Sequence, residues 1–338
     1  MCLKRQKKIL QMFYREREKM EKVDILLATY NGVEYIREQI DSILNQTHAE
    51  FRLLISDDGS IDGTREVLNE YKQKDNRIEV FMQEKNLGVV KNFEFLLEKV
   101  KAKYYMFSDQ DDIWKETKIE KSLKKIEEGF DLVYSDLEVV DENLNVTYKS
   151  YWKLKGIYNK IKKYNNFNAL YLNNFVTGCT LISRKELIKS FMPLPNTSKF
   201  VLHDYWISLI ISQNGKIAYV EEPLIKYRQH KNNKVGSKKK SDELKSIDEI
   251  RGLFIQVKKE HFKVFIENED KFKSEEVKKL NRKALEYYEM LETKKNINFK
   301  GWSLFFKLYK YEGFSYNLQN FAILNLPCMA KILYKFKK

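Results

Sequence analysis

The sequence predicts an α/β fold: a mostly parallel sheet with helices on both faces, followed by a helical C-terminal extension. Three observations predict it. Short apolar runs alternate with stretches of helical spacing from Val23 to Ser108, the pattern of successive βαβ units. Polar and acidic residues recur where the apolar runs stop, which is where parallel sheets bind ligands. Beyond residue 237 the alternation gives way to a lysine-rich helical pattern. The chain is therefore divided into a basic N-terminal extension (1–22), a main domain (23–237) and a basic, aromatic helical region (238–338).

Val23–Thr29 (VDILLAT) is a compact apolar run closed by the turn residues Tyr30–Asn31–Gly32. Val33–Asn45 sets Ile36, Ile40, Ile43 and Leu44 at helical spacing. Phe51–Ser56 is a second strand, ending on Asp57–Asp58–Gly59–Ser60. A helix over Arg65–Gln73 puts Val67, Leu68 and Tyr71 on one face. Ile78–Met82 is the third strand; Asn86–Leu87–Gly88 and a helix from Val89 to Val100 lead to the fourth, Tyr104–Ser108. Tyr30, Asp57, Asp58, Asn86 and the cluster Asp109–Asp112 all fall at the carboxyl ends of these strands. Such convergence predicts a small-molecule site.

The strongest chemical signal is Tyr104–Trp114 (YYMFSDQDDIW). A buried strand runs into three carboxylates within four positions and then a tryptophan. Carboxylates crowded at a strand end repel one another unless a cation or donors lie between them. Oxygen donors without neighbouring His or Cys suit a hard divalent ion, Mg²⁺ or Mn²⁺, whose shell is completed by water and substrate phosphates. An acidic, solvated turn is the plain alternative.

Composition excludes several classes. Hydrophobic residues make up 43% of 338, enough for a sizeable core. The glycine-rich dinucleotide and P-loop motifs are missing after the first strand. Cys2, Cys179 and Cys328 form no CxxC pair, and a reducing, cytoplasmic compartment suits them. Four histidines give little material for a zinc site. The net charge of +14 is uneven: residues 1–22 carry +5, 23–230 carry −2 and 231–338 carry +11. A basic end points to an anionic partner, or to a plain solvated surface. Nucleic-acid binding is not expected, because the main domain lacks the basic patch it requires. No secretory signal or spanning stretch is read, and Met20 before the first strand is a plausible start, which would make the first nineteen residues an artefact.

With ILLATYNG, LLISDDGSIDGT, NLGVVKNF and YYMFSDQDDIW in this order, the chain resembles a family 2 glycosyltransferase with the GT-A nucleotide-sugar-binding fold. The resemblance covers Val23 to about Ser237. It implies a nucleotide site at Ala28, Tyr30, Asp57 and Asp58, with Asn86 and Asn92 near it. It implies a metal–diphosphate site at Asp109–Gln110–Asp111, with Asp111 as direct ligand. The donor would be a nucleoside-diphosphate sugar and the acceptor a glycan or lipid-linked saccharide.

Downstream, Phe130–Asp136, Phe175–Ser183 and Ala218–Ile225 read as strands, and Tyr148–Asn174 as an acceptor-side insertion. His203–Asp204–Tyr205–Trp206 resembles the family's base-bearing motif. Asp204 is the expected base, His203 shapes its surroundings, and Trp206, like Trp114, is a candidate on the acceptor and diphosphate side. From the residues alone, the ordinary helix N-cap is the favoured reading of Asp204. Tyr227–Arg228–Gln229–His230 resembles an element closing the diphosphate side, with Arg228 for phosphate oxygens and His230 as a further metal ligand. SDQDDIW, HDYW and YRQH together are similar to a subgroup associated with rhamnosyl transfer from dTDP-L-rhamnose. Trp302, Phe305, Phe306 and Tyr309 share a helical face in a basic region, which suggests peripheral contact with the inner face of the cytoplasmic membrane or an ordinary packed helix. The rival to an enzyme is a non-catalytic carbohydrate- or nucleic-acid-binding module that uses the basic tail.

Overall fold

The computed structural model describes residues 21–195, 200–231, 233, 246–293, 299–310 and 314–326. Nearly all of the basic N-terminal extension and the last twelve residues lie outside them. The chain forms two compact units. The first runs up to Tyr151 and takes in Gly178–Met192 and Ala218–Arg228; the second comprises Trp152–Thr177, Pro193–Ile217 and the chain from Gln229 onward.

The first unit is built on one sheet. Strands β1 (Val23–Thr29), β2 (Phe51–Asp57), β3 (Ile78–Met82) and β4 (Tyr104–Ser108) lie parallel in the order 3-2-1-4. Helices α1 (Ile36–Leu44), α2 (Thr64–Lys74) and α3 (Val89–Glu98) connect them, as short parallel crossovers require. The strands are continuous apolar runs because both faces are covered; every residue of β4 is buried. Asp24 inside β1 is the polar exception. It accepts Nε and Nη2 of Arg52 at 2.8 and 2.7 Å and the backbone N–H of Lys101 and Ala102, so the buried charge is paired.

Beyond β4 the sheet turns antiparallel. It continues through β5 (Ile113–Trp114), β6 (Leu132–Val140), β7 (Val146–Tyr148), β8 (Ile182–Arg184) and β9 (Ile217–Arg228), with β4 against β8, β8 against β6, β7 against β6 and β5 against β9. Helix α4 (Lys118–Ile126) follows β5. The strand expected over Phe175–Ser183 is corrected to Ile182–Arg184, because Gly178–Thr180 instead forms a tight 3₁₀ turn.

The second unit is helical: α5 (His203–Ser212), α6 (Ile247–Glu267), α7 (Glu275–Thr293), α8 (Phe299–Leu308) and α9 (Phe314–Asn325), preceded by short turns of helix within Tyr151–Leu170. Ser246 and Glu249 make a reciprocal capping box that starts α6. The core is aromatic. Phe262 stacks on Tyr288, His261 lies 4.2 Å from Phe265, and Tyr288 and Tyr309 share a hydroxyl bond of 2.9 Å. The face expected to present Trp302, Phe305, Phe306 and Tyr309 together is split: Phe305 and Tyr309 are fully buried, whereas Phe306 is 55% exposed. Leu253 of α6 is exposed. No helix among the described residues is long and apolar enough to cross a membrane.

Candidate active site

The turns after β1 and β2 interlock through side chains. Asn31 takes a positive φ of 47°, a conformation asparagine tolerates better than most residues. Its N–H donates to Ser60 Oγ at 2.8 Å, and its Oδ1 accepts from Ile61 N at 3.0 Å. Gly32 N donates to Thr64 Oγ1 at 2.9 Å, and Val33 N to Asp62 Oδ2 at 3.1 Å. Amide donors of the turn that precedes α1 are thus satisfied by the neighbouring turn. The Asp62 carboxyl is held below its usual range by its bonds from Thr64 and Val33, which outweigh the opposing effect of burial.

Asp57 and Asp58 face inward from this platform. Asp57 is fully buried; its Oδ1 accepts Ser60 N at 3.1 Å and Arg65 Nε at 2.7 Å, and its Oδ2 is buried without a hydrogen bond. Asp58 accepts Leu87 N at 2.7 Å and Gly88 N at 2.9 Å, fixing the loop that opens α3, where Gly88 has φ +82°. Asn92 is buried and donates to Ser56 O at 3.0 Å. Asn86 is exposed, and its side chain accepts from Gly88 N at 3.1 Å. Ala28 is half-buried near the end of β1, and Tyr30 is 40% exposed. Of the residues expected around a nucleotide, Tyr30 and Asn86 present surface, while Asp57, Asp58 and Asn92 shape the backbone beneath.

The acidic loop leaves β4 directly beside this platform. Gln110 Oε1 accepts from Thr29 Oγ1 at 2.7 Å and Tyr30 N at 2.8 Å, and its Nε2 donates to Tyr30 O at 3.2 Å. Gln39, buried on the apolar face of α1, supports the loop from below. Its amide nitrogen donates to Asp112 O, and its Oε1 accepts from Ser108 Oγ at 2.6 Å and Trp114 Nε1 at 3.2 Å. Asp109, Asp112 and Cys179 bring ligand atoms within 4.8 Å of one another. Asp112 is fully buried. Its Oδ1 accepts from Arg228 N at 3.2 Å, and its Oδ2 has no hydrogen-bond partner. Burial first, and the charges of Asp111 and Asp109 next, push the Asp112 carboxyl well above the ordinary range.

The only ammonium group buried with Asp112 among the described residues of this unit belongs to Lys118. It sits 3.3 Å from the centre of the Trp114 ring. Burial pulls it down to about 7, against the opposing pull of Cys179 and Asp112. The Cys179 thiol is raised by burial and by Asp112 and Asp109, so it stays protonated, a poor ligand for a hard ion. An orphaned, buried carboxylate oxygen beside a second carboxylate fits a hard divalent cation. The donors placed to hold one are Asp109 and Asp112, with Asp111 between them; sequence reasoning favoured Asp111 and passed over Asp112.

Three expectations are corrected by burial. Arg228 is 3% exposed, and its guanidinium is committed to protein: Nε to Asp111 O at 2.9 Å, Nη1 to Glu142 O at 2.9 Å, Nη2 to Glu38, and its plane over Tyr35 at 4.6 Å. It braces the acidic loop and does not reach out for a phosphate. Trp114 is 2% exposed and lies beneath Lys118. Trp206 is fully buried between Phe265 and Phe272, a core residue of the second unit and not a sugar platform.

In that unit, Leu202 caps α5, so Asp204 lies in its first turn and is not the N-cap. Its Oδ1 accepts from Tyr205 N at 2.7 Å, and its side chain is half-buried. His203 is buried, which lowers its imidazole to about 3 and keeps it neutral. Tyr205 Oη donates toward Leu170 O and Tyr171 O at 2.9 and 3.0 Å. His230 is half-buried, and its N–H donates to Asn233 Oδ1 at 2.5 Å. Asn232 lies outside the described residues.

Comparisons with known proteins show the family and the fold. The family model described as glycosyl transferase family 2 matches residues 24–191. TuaG of Bacillus subtilis (strain 168), a glycosyltransferase whose name links it to teichuronic acid biosynthesis, is 30% identical over 228 residues, covering 64% of this chain and 82% of that protein. The dTDP-rhamnosyl transferase RfbG of Shigella flexneri is 30% identical over 222 residues, 62% of this chain and 74% of that protein. In fold, the chain is similar to the crystal structure of S. aureus TarS 1-349 in complex with UDP-GlcNAc. The TM-score is 0.55 at 16% identity, over 90% of this chain and 84% of that one.

Proposed function

The chain belongs to glycosyl transferase family 2 and is a glycosyltransferase using a nucleotide-sugar donor; from that premise we propose an inverting transfer with Asp204 as base. The observation that carries the reading is the convergence at the carboxyl ends of β1, β2 and β4. There the platform around Asn31 and the acidic loop are joined by Gln110.

In this reading the base and ribose rest against Ala28, Tyr30 and Asn86, on backbone that Asp57, Asp58 and Asn92 shape. Asp109, Asp111 and Asp112 would hold Mg²⁺ or Mn²⁺ for the diphosphate, with His230 a further candidate ligand. When bound, such an ion compensates the charge that develops on the leaving diphosphate. Asp204 accepts the proton of the acceptor hydroxyl at a carboxylate oxygen as the hydroxyl oxygen forms its bond to the anomeric carbon. The sugar–phosphate bond breaks on the opposite face, so configuration inverts. Burial keeps the neighbouring His203 neutral.

For the donor we favour dTDP-L-rhamnose, on the likeness of SDQDDIW, HDYW and YRQH to rhamnosyl-transferring relatives and on the name of RfbG. The acceptor is a hydroxyl of a surface glycan or lipid-linked saccharide. The enzyme works in the cytoplasm, with peripheral contact to anionic lipid through its basic C-terminal region. Failure of the full-length protein to co-sediment with anionic vesicles at low salt would remove that contact. The transfer itself is tested with a panel of nucleotide sugars and Mn²⁺, read first as thermal stabilisation and then as turnover. Asp204→Asn should leave donor stabilisation intact and lower turnover by at least about a hundredfold. Wild-type rates in that variant would refute the assignment of the base.

A further inference from the structure

We infer that Gln110 is a positioning residue that couples nucleotide binding at the turn after β1 to cation binding at the acidic loop. The inference rests on the reading above and deepens it, since neither the fold nor the acid cluster requires such a link.

Gln110 sits between Asp109 and Asp111 and reaches across 80 positions of sequence to Tyr30. Its planar amide takes both backbone groups of Tyr30, the N–H at 2.8 Å and the carbonyl at 3.2 Å, and also the Thr29 hydroxyl at 2.7 Å. This is the bonding a neighbouring strand would give, supplied by one side chain. The far side of the turn is pinned by Ser60, Thr64 and Asp62. A displacement of the loop toward a cation is therefore transmitted to Tyr30, and the reverse holds equally, because coupling between two binding events is reciprocal.

Two features show that the amide is fitted to its place. A Cβ on Gly32 would lie 2.5 Å from Gln110 Oε1 and 2.7 Å from its Cδ, so no larger residue fits at 32 while Gln110 is docked. A glutamate at 110 would set a carboxylate oxygen against Tyr30 O with no hydrogen to share, and an asparagine is a methylene short.

The test is calorimetric titration of the full-length protein with UDP, dTDP and GDP, each with and without Mn²⁺. For wild type, Mn²⁺ should tighten the best-bound nucleotide on the order of tenfold. Gln110→Ala should lower that factor by at least about threefold, the remainder being direct ion–diphosphate contact, while the metal-free affinity changes less than the factor does. Gly32→Ala displaces the end of the flexible Gln110 side chain and presses on Thr29 Oγ1 at 3.0 Å while changing no residue of the acidic loop, so it should fold and give the same loss of coupling. Gln110→Glu, which keeps the acceptor for Thr29 and Tyr30 N, covers the case in which either alanine variant fails to fold; it too should lower the factor. A wild-type factor in the folded variants overturns the inference and leaves the proposed function standing. Absence of nucleotide binding by wild type, with and without Mn²⁺, overturns both.

Discussion

Replacing Arg228 with alanine should destabilise the first unit even when no nucleotide is present. The guanidinium donates to two backbone carbonyls, Asp111 O and Glu142 O, both at 2.9 Å. Charge-assisted bonds of this kind are worth about 1.5–3 kcal/mol each, and carbonyls stripped of their donor retain a desolvation cost. Glu38 contributes little, because its side chain is 54% exposed and such pairs are screened. Stacking over Tyr35 at 4.6 Å adds about 0.5–2 kcal/mol. Since these contributions share one side chain they do not simply add, and about 3 kcal/mol is the expected loss. At a urea slope of about 3 kcal/mol/M the midpoint falls by about 1 M. Arg228→Lys should recover less than half, because one ammonium cannot serve a fixed fork of three partners. If Arg228 instead served only a ligand phosphate, both variants would unfold like wild type and lose donor affinity alone. A midpoint within about 0.3 M of wild type in Arg228→Ala would refute the bracing role.

Asp112→Asn keeps an acceptor for Arg228 N and removes the charge. Its stability should stay close to wild type, while the Mn²⁺ concentration needed for nucleotide stabilisation rises about 10–100-fold; unchanged Mn²⁺ dependence would take Asp112 out of the cation site. Asp111→Ala should likewise abolish metal-dependent donor turnover, measured as nucleotide release. His203 predicts a pH effect: its folded pKa of about 3 lies below the unfolded value of about 6.5. The unfolded chain therefore binds the extra proton, and stability is lost as pH falls from about 6.5 toward 3. At pH 5 this amounts to about 2 kcal/mol, and the acid slope of His203→Gln in urea melts should be shallower by that amount.

The parallel half of the sheet was legible because each strand is short, apolar and closed by a turn residue that side-chain chemistry explains. Asn31, Asp58 and Gly88 are local turn signals, although the structure uses them to tie turns 29 and 30 positions apart. What the sequence hid depends on distant partners. Trp206 beside Asp204 reads as a platform until Phe265 and Phe272, some sixty positions later, close over it. Phe175–Ser183 reads as one strand because apolarity does not reveal the turn that carries Cys179 toward Asp112. Arg228 reads as a phosphate ligand because its carbonyl partners, Asp111 and Glu142, have no side-chain signature. Gln39 did leave a trace, a polar residue among Ile36, Ile40 and Ile43 on the buried face of α1, and such a residue is expected to have a fixed partner.

Three side chains hold the acidic loop through its backbone. Gln39 takes Asp112 O, Arg228 takes Asp111 O, and Gln110 ties the loop to Tyr30. Two of these three groups are neutral amides, so they do not compete with a cation for the carboxylates, and their bonds persist whether those acids are charged or protonated. Holding the backbone separately lets Asp112 remain in a state that burial disfavours, with Oδ2 lacking a hydrogen bond, without loss of the loop's shape. A cation then gains the full benefit of neutralising crowded carboxylates, because little of its binding energy is consumed in rearranging the protein.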